Sequence, residues 1–115
     1  MEKLSKNFTY EELVKSATAT RLKINNTPNK EQHDNLKKLA ETVLQPIRDK
    51  YGKPLIVSSG FRCEKLNKAV GGAKTSQHCK GEAADIRTVS DSIADNKALF
   101  NFILEMINKG EIKVG

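Results

Sequence analysis

Residues 76–85 read Ser-Gln-His-Cys-Lys-Gly-Glu-Ala-Ala-Asp, and they carry the most informative pattern in the chain. His78 and Asp85 stand seven positions apart among small residues, shortly after the pair Gly71-Gly72. Neutral imidazole and carboxylate both ligate zinc, and a catalytic zinc ion usually has three protein ligands and one water. The pattern therefore predicts that His78 and Asp85 are two ligands of a metal site.

Apolar periodicity on both sides of this segment predicts two amphipathic helices. An apolar stripe at helical spacing runs through residues 30–50, where Pro46 is expected to kink the helix or end it early. A second stripe covers residues 99–107. Strands are expected at 55–58, as a buried strand, and at 82–88, carrying Asp85. Helices before and between strands indicate the α+β class.

Weaker signals complete the predicted secondary structure. Thr9 and Glu12 can form a capping box at the start of a short helix that fades near residues 16–20. The other predicted segments are a loop at 21–30, a helix at 63–70 ended by Gly71-Gly72, a loop at 73–80 and the start of a strand at 112–114.

Five positions of the motif match a known pattern, namely Ser76, His78, Gly81, Ala83 and Asp85. With them, the chain resembles the zinc D-alanyl-D-alanine carboxypeptidase superfamily of peptidoglycan peptidases, which shares its fold with the hedgehog signalling domain. Four further segments are similar to the family: Ser59-Gly60-Phe61-Arg62, Leu66-Asn67, Val70-Gly71-Gly72 and Leu44-Gln45-Pro46-Ile47-Arg48. The resemblance implies one peptidase-like domain over residues 1–115, with a small, mainly antiparallel sheet and helices packed on it.

The resemblance also implies a role for each matching residue. His78 and Asp85 would ligate Zn²⁺, which lowers the pKa of a bound water to about 7 and so supplies a nucleophile. Arg62 would be catalytic and substrate-binding, because a guanidinium keeps its charge and holds a carboxylate or oxyanion. Ser76 would bind substrate, and Gly81 would leave room at the metal. The implied substrates are peptidoglycan peptides, cleaved next to D-alanine.

The sequence departs from the family's pattern after Asp85. The family places its general base and a third zinc histidine later in the chain, whereas no histidine, cysteine or tryptophan follows Asp85 here. We therefore expect the C-terminal end of the domain to be missing, and a truncated edge strand would let a second copy pair there. A catalytically inactive cell-wall or metal-binding module stays open as the alternative, as does the choice between carboxypeptidase and endopeptidase cleavage.

Several residues near the motif also have plainer interpretations. Ser76 fits an ST-turn as well as a substrate pocket. His33 is expected to be a half-buried helix residue at the edge of the apolar stripe. Cys79 is not counted as a ligand, although thiolate affinity for zinc keeps that option open. Two free thiols, Cys63 and Cys79, are favoured over a disulfide.

Composition and sequence pattern indicate which binding partners and which cellular location to expect. The formal charge is +6, from 20 basic and 14 acidic residues, which favours anionic partners. The basic residues are scattered without interleaved aromatics, so no nucleic-acid partner is expected. No signal peptide and no membrane span is recognised. We expect synthesis in the cytoplasm and action on the cell wall, after release at lysis, as for phage-type enzymes, or after export by an unseen route.

Overall fold

The computed structural model describes residues 2–112 and gives them six α-helices and four β-strands. In chain order the elements are β1 (Lys3–Ser5), β2 (Phe8–Thr9), α1 (Tyr10–Val14), α2 (Ala17–Leu22), α3 (Lys30–Leu39), a π-helical turn (Ala40–Leu44), α4 (Gln45–Tyr51), β3 (Leu55–Ser59), α5 (Glu64–Ala69), a 3-10 turn (Gln77–Lys80), β4 (Asp85–Thr88) and α6 (Ile93–Asn108). The predicted α+β class is confirmed.

The helix predicted over residues 30–50 is present, but Pro46 does not end it. The helix runs on to Tyr51 through the π-helical turn, in which the Gln45 N–H bonds to the Ala40 carbonyl. This wide turn lies directly before Pro46, which lacks an N–H and whose ring crowds the preceding turn. The predicted apolar stripe is buried, as shown by Leu36, Ala40, Leu44 and Ile47.

The strands form two separate antiparallel ladders rather than one small sheet. β1 pairs with β2, and β3 pairs with β4 in a register that sets Leu55 opposite Thr88 and Ser59 opposite Asp85. The strand predicted at 55–58 is present as β3, but the prediction that it is buried is wrong, because Leu55 is buried while Ile56 is 37% exposed. A two-stranded antiparallel ladder covers its core side and leaves the other side to solvent.

Two hydrophobic clusters hold these elements together. We call α3, the π-helical turn and α4 together the long helix. The first cluster contains residues from the β1–β2 ladder, α1, the long helix and the segment after β3, namely Leu4, Phe8, Leu13, Leu36, Ala40, Leu44 and Phe61. The second packs α4, β3 and α6 through Ile47, Leu55, Leu99, Met106 and Ile112. The predicted stripe at 99–107 is thus core. Of the strand predicted at 112–114, residues 113 and 114 lie outside the described residues.

The short N-terminal helices show where local signals suffice and where they fail. The capping box is confirmed, since Thr9 Oγ1 accepts from the Glu12 N–H at 3.2 Å and Glu12 Oε1 accepts from the Thr9 N–H at 3.2 Å. The helix does not simply fade after residue 16. Instead, Ser16 caps a new helix, α2, which ends at Lys23 in the left-handed conformation.

The predicted helix at 63–70 is confirmed as α5, followed by Gly71 with a φ of 76°. The predicted loop at 73–80 is wrong in its second half, which forms the 3-10 turn, capped by Ser76. Within residues 2–112, no helix combines the length and the hydrophobicity needed to cross a bilayer.

Gly81 closes the 3-10 turn against α3. Its φ is 75°, and a Cβ at this position would overlap the carbonyl oxygen of Gln32. The sequence-based interpretation that Gly81 leaves room at a metal is therefore incomplete, because the missing side chain faces helix α3. Gly52 has the same φ of 75°, but a Cβ there would meet no atom of the described residues within 4 Å beyond its chain neighbours.

Replacing each glycine by alanine separates backbone strain from close packing. Gly52→Ala is expected to lower the free energy of unfolding by about 1–2 kcal/mol, from the left-handed backbone alone. Gly81→Ala should lower the free energy of unfolding by about 1–3 kcal/mol more than Gly52→Ala does, because α3 and the 3-10 turn must move apart. Urea unfolding measures both, and equal losses in the two variants would contradict the packing argument.

Candidate metal and substrate site

The long helix and Ser76 together hold the 3-10 turn that carries His78. Gln32 Nε2 donates to the Cys79 carbonyl at 3.1 Å, and Asn35 Nδ2 donates to the Lys80 carbonyl at 2.9 Å. Ser76 Oγ accepts from the His78 N–H at 3.2 Å, which is the ST-turn geometry. The backbone around His78 is therefore fixed from both sides.

The His78 ring is oriented by a backbone carbonyl. Its Nδ1 lies 2.7 Å from the Gly60 carbonyl oxygen, which can only accept, so Nδ1 carries the proton. The side chain is 13% exposed. In the neutral imidazole, the second nitrogen, Nε2, then has a free lone pair. Metal-ligating histidines are commonly oriented by such a bond from the other nitrogen.

Asp85 faces this free nitrogen. Its Oδ2 lies 3.6 Å from His78 Nε2, and its side chain is 66% exposed. Two ligands of one tetrahedral zinc ion, each 2.0–2.1 Å from it, stand about 3.4 Å apart. A neutral Nε2 and a carboxylate are both acceptors, so a cation or a proton between them would satisfy both. The pair therefore fits two positions of a zinc site.

A third ligand does not join this pair in the part of the chain that the structure describes. No group of three or more histidine, cysteine, aspartate or glutamate side chains is arranged to hold a metal ion within residues 2–112. The structure thus brings the two predicted ligands, His78 and Asp85, together. Within the described residues, the site offers two protein donors.

Arg62 lies beside the same turn. Its backbone N–H donates to the His78 carbonyl at 3.1 Å, and its Nη2 is 3.5 Å from Ser76 Oγ. Its Nε is buried and has no hydrogen-bond partner among the described residues. Buried donors are nearly always paired, so this guanidinium nitrogen is a candidate for binding a ligand. The structure thus brings Arg62, Ser76 and His78 together.

The cysteines occupy structural positions next to the site. Both are free thiols. Cys63 Sγ caps α5 by accepting from the Leu66 N–H at 3.5 Å. Burial raises the pKa of the Cys79 thiol, and the nearby Arg62 guanidinium offsets part of that rise. Cys79 does not form a group of three possible metal ligands with His78 and Asp85 among the described residues.

The second histidine lies in α3, as expected, and pairs elsewhere. His33 Nε2 is 2.9 Å from Glu2 Oε2, and its ring lies tilted by 34° against the Tyr10 ring, with the ring centroids 5.3 Å apart. It is part of the contact between the N-terminus and the long helix.

Two residues that shape the site were not singled out from the sequence. Gly60 supplies the carbonyl that orients His78, and a Cβ on Gly60 would overlap the Leu13 carbonyl. Asn26, in the predicted loop, bonds to Val14, Phe61 and Cys63. Two adjacent asparagines indicated only a loop, because their partners lie far away in the sequence.

A cavity of about 590 Å³ lies on another side of the motif. It is lined by the long helix, α6, residues 82–84 and Ile86, including Leu39, Val43, Glu82 and Ile103. The candidate ligands and Arg62 do not line it, so the chemistry of the site does not depend on this cavity.

A histidine–carboxylate pair, with an arginine beside the turn that carries the histidine, defines a candidate metallohydrolase site. The sequence model of the peptidase M15 family matches residues 6–109. The chain therefore belongs to the peptidase M15 family, the zinc D-alanyl-D-alanine carboxypeptidase-like peptidases, and the resemblance seen in the sequence is confirmed. Neither a curated protein nor a solved structure gives a significant match.

Zinc titration of the chain tests the ligand pair. We expect one zinc ion per chain, and at least about tenfold weaker binding in His78→Ala and in Asp85→Ala, since each removes a ligand. His33→Ala is the matched control, because His33 is bonded to Glu2, and it should leave affinity unchanged. Isothermal titration calorimetry measures all four, and unchanged affinity in His78→Ala would refute the assignment.

Proposed function

We propose that the chain is a zinc-dependent peptidase that hydrolyses peptide bonds next to D-alanine in the stem or cross-link peptides of peptidoglycan. Family membership supports a metallopeptidase. The observation that carries the proposal is the 3.6 Å approach of Asp85 Oδ2 to a His78 nitrogen whose partner nitrogen is bonded to Gly60. D-alanine specificity and cell-wall action rest on the resemblance of the motif.

In this proposal, His78 holds the metal through Nε2 and Asp85 through a carboxylate oxygen. A bound zinc ion would supply an activated water and polarise the scissile carbonyl. The Gly60 carbonyl keeps the imidazole in the tautomer that can ligate. The exposure of Asp85, at 66%, leaves the site open toward solvent, so a peptide end can approach from that side.

Arg62 supplies the charge complement to the substrate. Attack on a peptide carbonyl builds negative charge on its oxygen, and a fixed guanidinium stabilises that charge more than it stabilises the neutral carbonyl. The Arg62 guanidinium is the charged group available for that oxygen or for a terminal carboxylate, and its Nε is buried without a partner among the described residues. Ser76 Oγ, 3.5 Å from Nη2, offers a further polar contact beside the guanidinium.

The charge of the chain suits this substrate. A net charge of +6 attracts anionic polymers and peptides with free carboxylates at long range. We propose the cell wall as the place of action, reached after lysis or export.

A second candidate is a binding module of the same family that holds metal or wall peptide without turnover. It is favoured by one observation, namely that only two candidate ligands meet within residues 2–112. Such a module would still use Arg62 and Ser76 to bind a peptide carboxylate. Peptide binding without hydrolysis by the zinc-supplied chain would favour this module over the peptidase.

Arginine variants test the proposed chemistry. With zinc and a peptide ending in D-Ala-D-Ala, Arg62→Ala should lower kcat/KM by about 10²–10³-fold, because the oxyanion loses its donor. Arg62→Lys should lie in between, since lysine keeps the charge but not the forked geometry. Release of D-alanine is the measurement.

Arg21→Ala serves as the matched control for this test. Arg21 is an exposed arginine on α2, so its loss should leave kcat/KM unchanged. Equal activity of Arg62→Ala and the wild type would refute the role of Arg62. If the wild type neither binds the peptide nor releases D-alanine, both candidate functions are refuted.

A further inference from the structure

The side chain of Asn26 joins three segments of the chain. Its Nδ2 donates to the Val14 carbonyl at 2.8 Å and to the Phe61 carbonyl at 2.9 Å. Its Oδ1 accepts from the Cys63 N–H at 2.7 Å. We infer that Asn26 is a positioning residue, which holds the backbone on both sides of Arg62 and thereby sets the guanidinium for its ligand. The ligand in this inference rests on the proposed function.

Two of the Asn26 hydrogen bonds go to the residues on either side of Arg62. One goes to the carbonyl of the preceding residue, Phe61, and the other to the N–H of the following residue, Cys63. The N–H of Arg62 itself is bonded to the His78 carbonyl. The peptide groups before and after Arg62 are therefore both fixed, which leaves only side-chain torsions free to move the guanidinium.

The other end of this support is helix α1. The last carbonyls of a helix have no partner within it. Here the Leu13 carbonyl accepts from the Phe61 N–H at 2.6 Å, and the Val14 carbonyl accepts from Asn26. Gly60 allows this approach, because any Cβ there would overlap the Leu13 carbonyl. Asn26 thus uses a rigid helix end as its anchor.

This anchoring matters because the Arg62 side chain is only weakly held by bonds of its own. Its buried Nε is unpaired in the described residues, and its contact with Ser76 is long, at 3.5 Å. A side chain with an unsatisfied buried donor would gain by rotating toward water. The amide of Asn26 bonds to backbone groups, so its influence on the guanidinium passes through the backbone of residues 61–63.

The test follows the Arg62 Nε–H by NMR in the metal-free chain of residues 1–115, with the signal assigned from Arg62→Lys. In the wild type this buried proton should exchange slowly with water. Asn26→Ala should speed its exchange at least about tenfold, because the segment around Arg62 opens locally. Asn26→Asp keeps the size and one acceptor but loses both donors, so it is also expected to speed the exchange. It replaces the alanine variant if that variant does not fold.

Two matched asparagines control for simple destabilisation. Asn96 also makes three hydrogen bonds between segments, to the Thr88 N–H, to Thr88 Oγ1 and to Asp91 Oδ1. Asn96→Ala should lower stability comparably and leave Arg62 exchange unchanged. Asn25→Ala, next in sequence but bonded through its side chain to the nearby Thr27 hydroxyl, should change neither. Equal acceleration in the Asn96 and Asn26 variants, or none in the Asn26 variants, would overturn the inference.

Binding of a D-Ala-D-Ala peptide distinguishes this inference from the proposed function. We expect the peptide to bind Asn26→Ala about tenfold or more weakly than the wild type, with Asn96→Ala unaffected. Suppose that the peptide binds neither the wild type nor any variant, and that Arg62 exchange is faster only in the Asn26 variants. This result would uphold the positioning role and refute the proposed function. Equal peptide binding and equal exchange in Asn26→Ala and the wild type would refute the positioning role and uphold the function.

Discussion

The hydrogen bond from His78 Nδ1 to the Gly60 carbonyl is the contact on which the candidate site depends. It joins the 3-10 turn to the end of β3, sets the imidazole tautomer and turns Nε2 toward Asp85. The same two segments are joined again by the bond from the Arg62 N–H to the His78 carbonyl. One short stretch of backbone thus positions a candidate metal ligand and the neighbouring guanidinium together.

The long helix provides the rigid base for this arrangement. Its buried face belongs to the first hydrophobic cluster, while polar side chains on its first turns, Gln32 and Asn35, hold the carbonyls of the 3-10 turn. The close approach at Gly81 removes the space that a side chain would need between turn and helix. Stability and site geometry are therefore coupled, because packing of the helix also fixes the turn that carries His78.

Exposure is divided unevenly across the site, in a way that suits its chemistry. The Arg62 Nε is buried and the His78 side chain is only 13% exposed, so both are hindered from reorienting, whereas Asp85 opens to solvent at the first position of β4. Charges near the surface are screened, so a contact between His78 and the exposed Asp85 would by itself add little stability. This arrangement is better explained by binding than by folding.

The sequence by itself determined the features that depend on neighbours a few residues away: the Thr9–Glu12 capping box, the apolar stripes of the long helix and α6, the glycine after α5, and the spacing of His78 and Asp85 that marks the family. Only the tertiary structure decided the division into two ladders, the exposure of Ile56 and the roles of Gly60 and Asn26. The physical reason is range. Caps and periodicity act within one or two turns, whereas the Asn26 amide and the Gly60 carbonyl gain their roles from partners 35 and 18 positions away, which only the folded chain brings within hydrogen-bond distance.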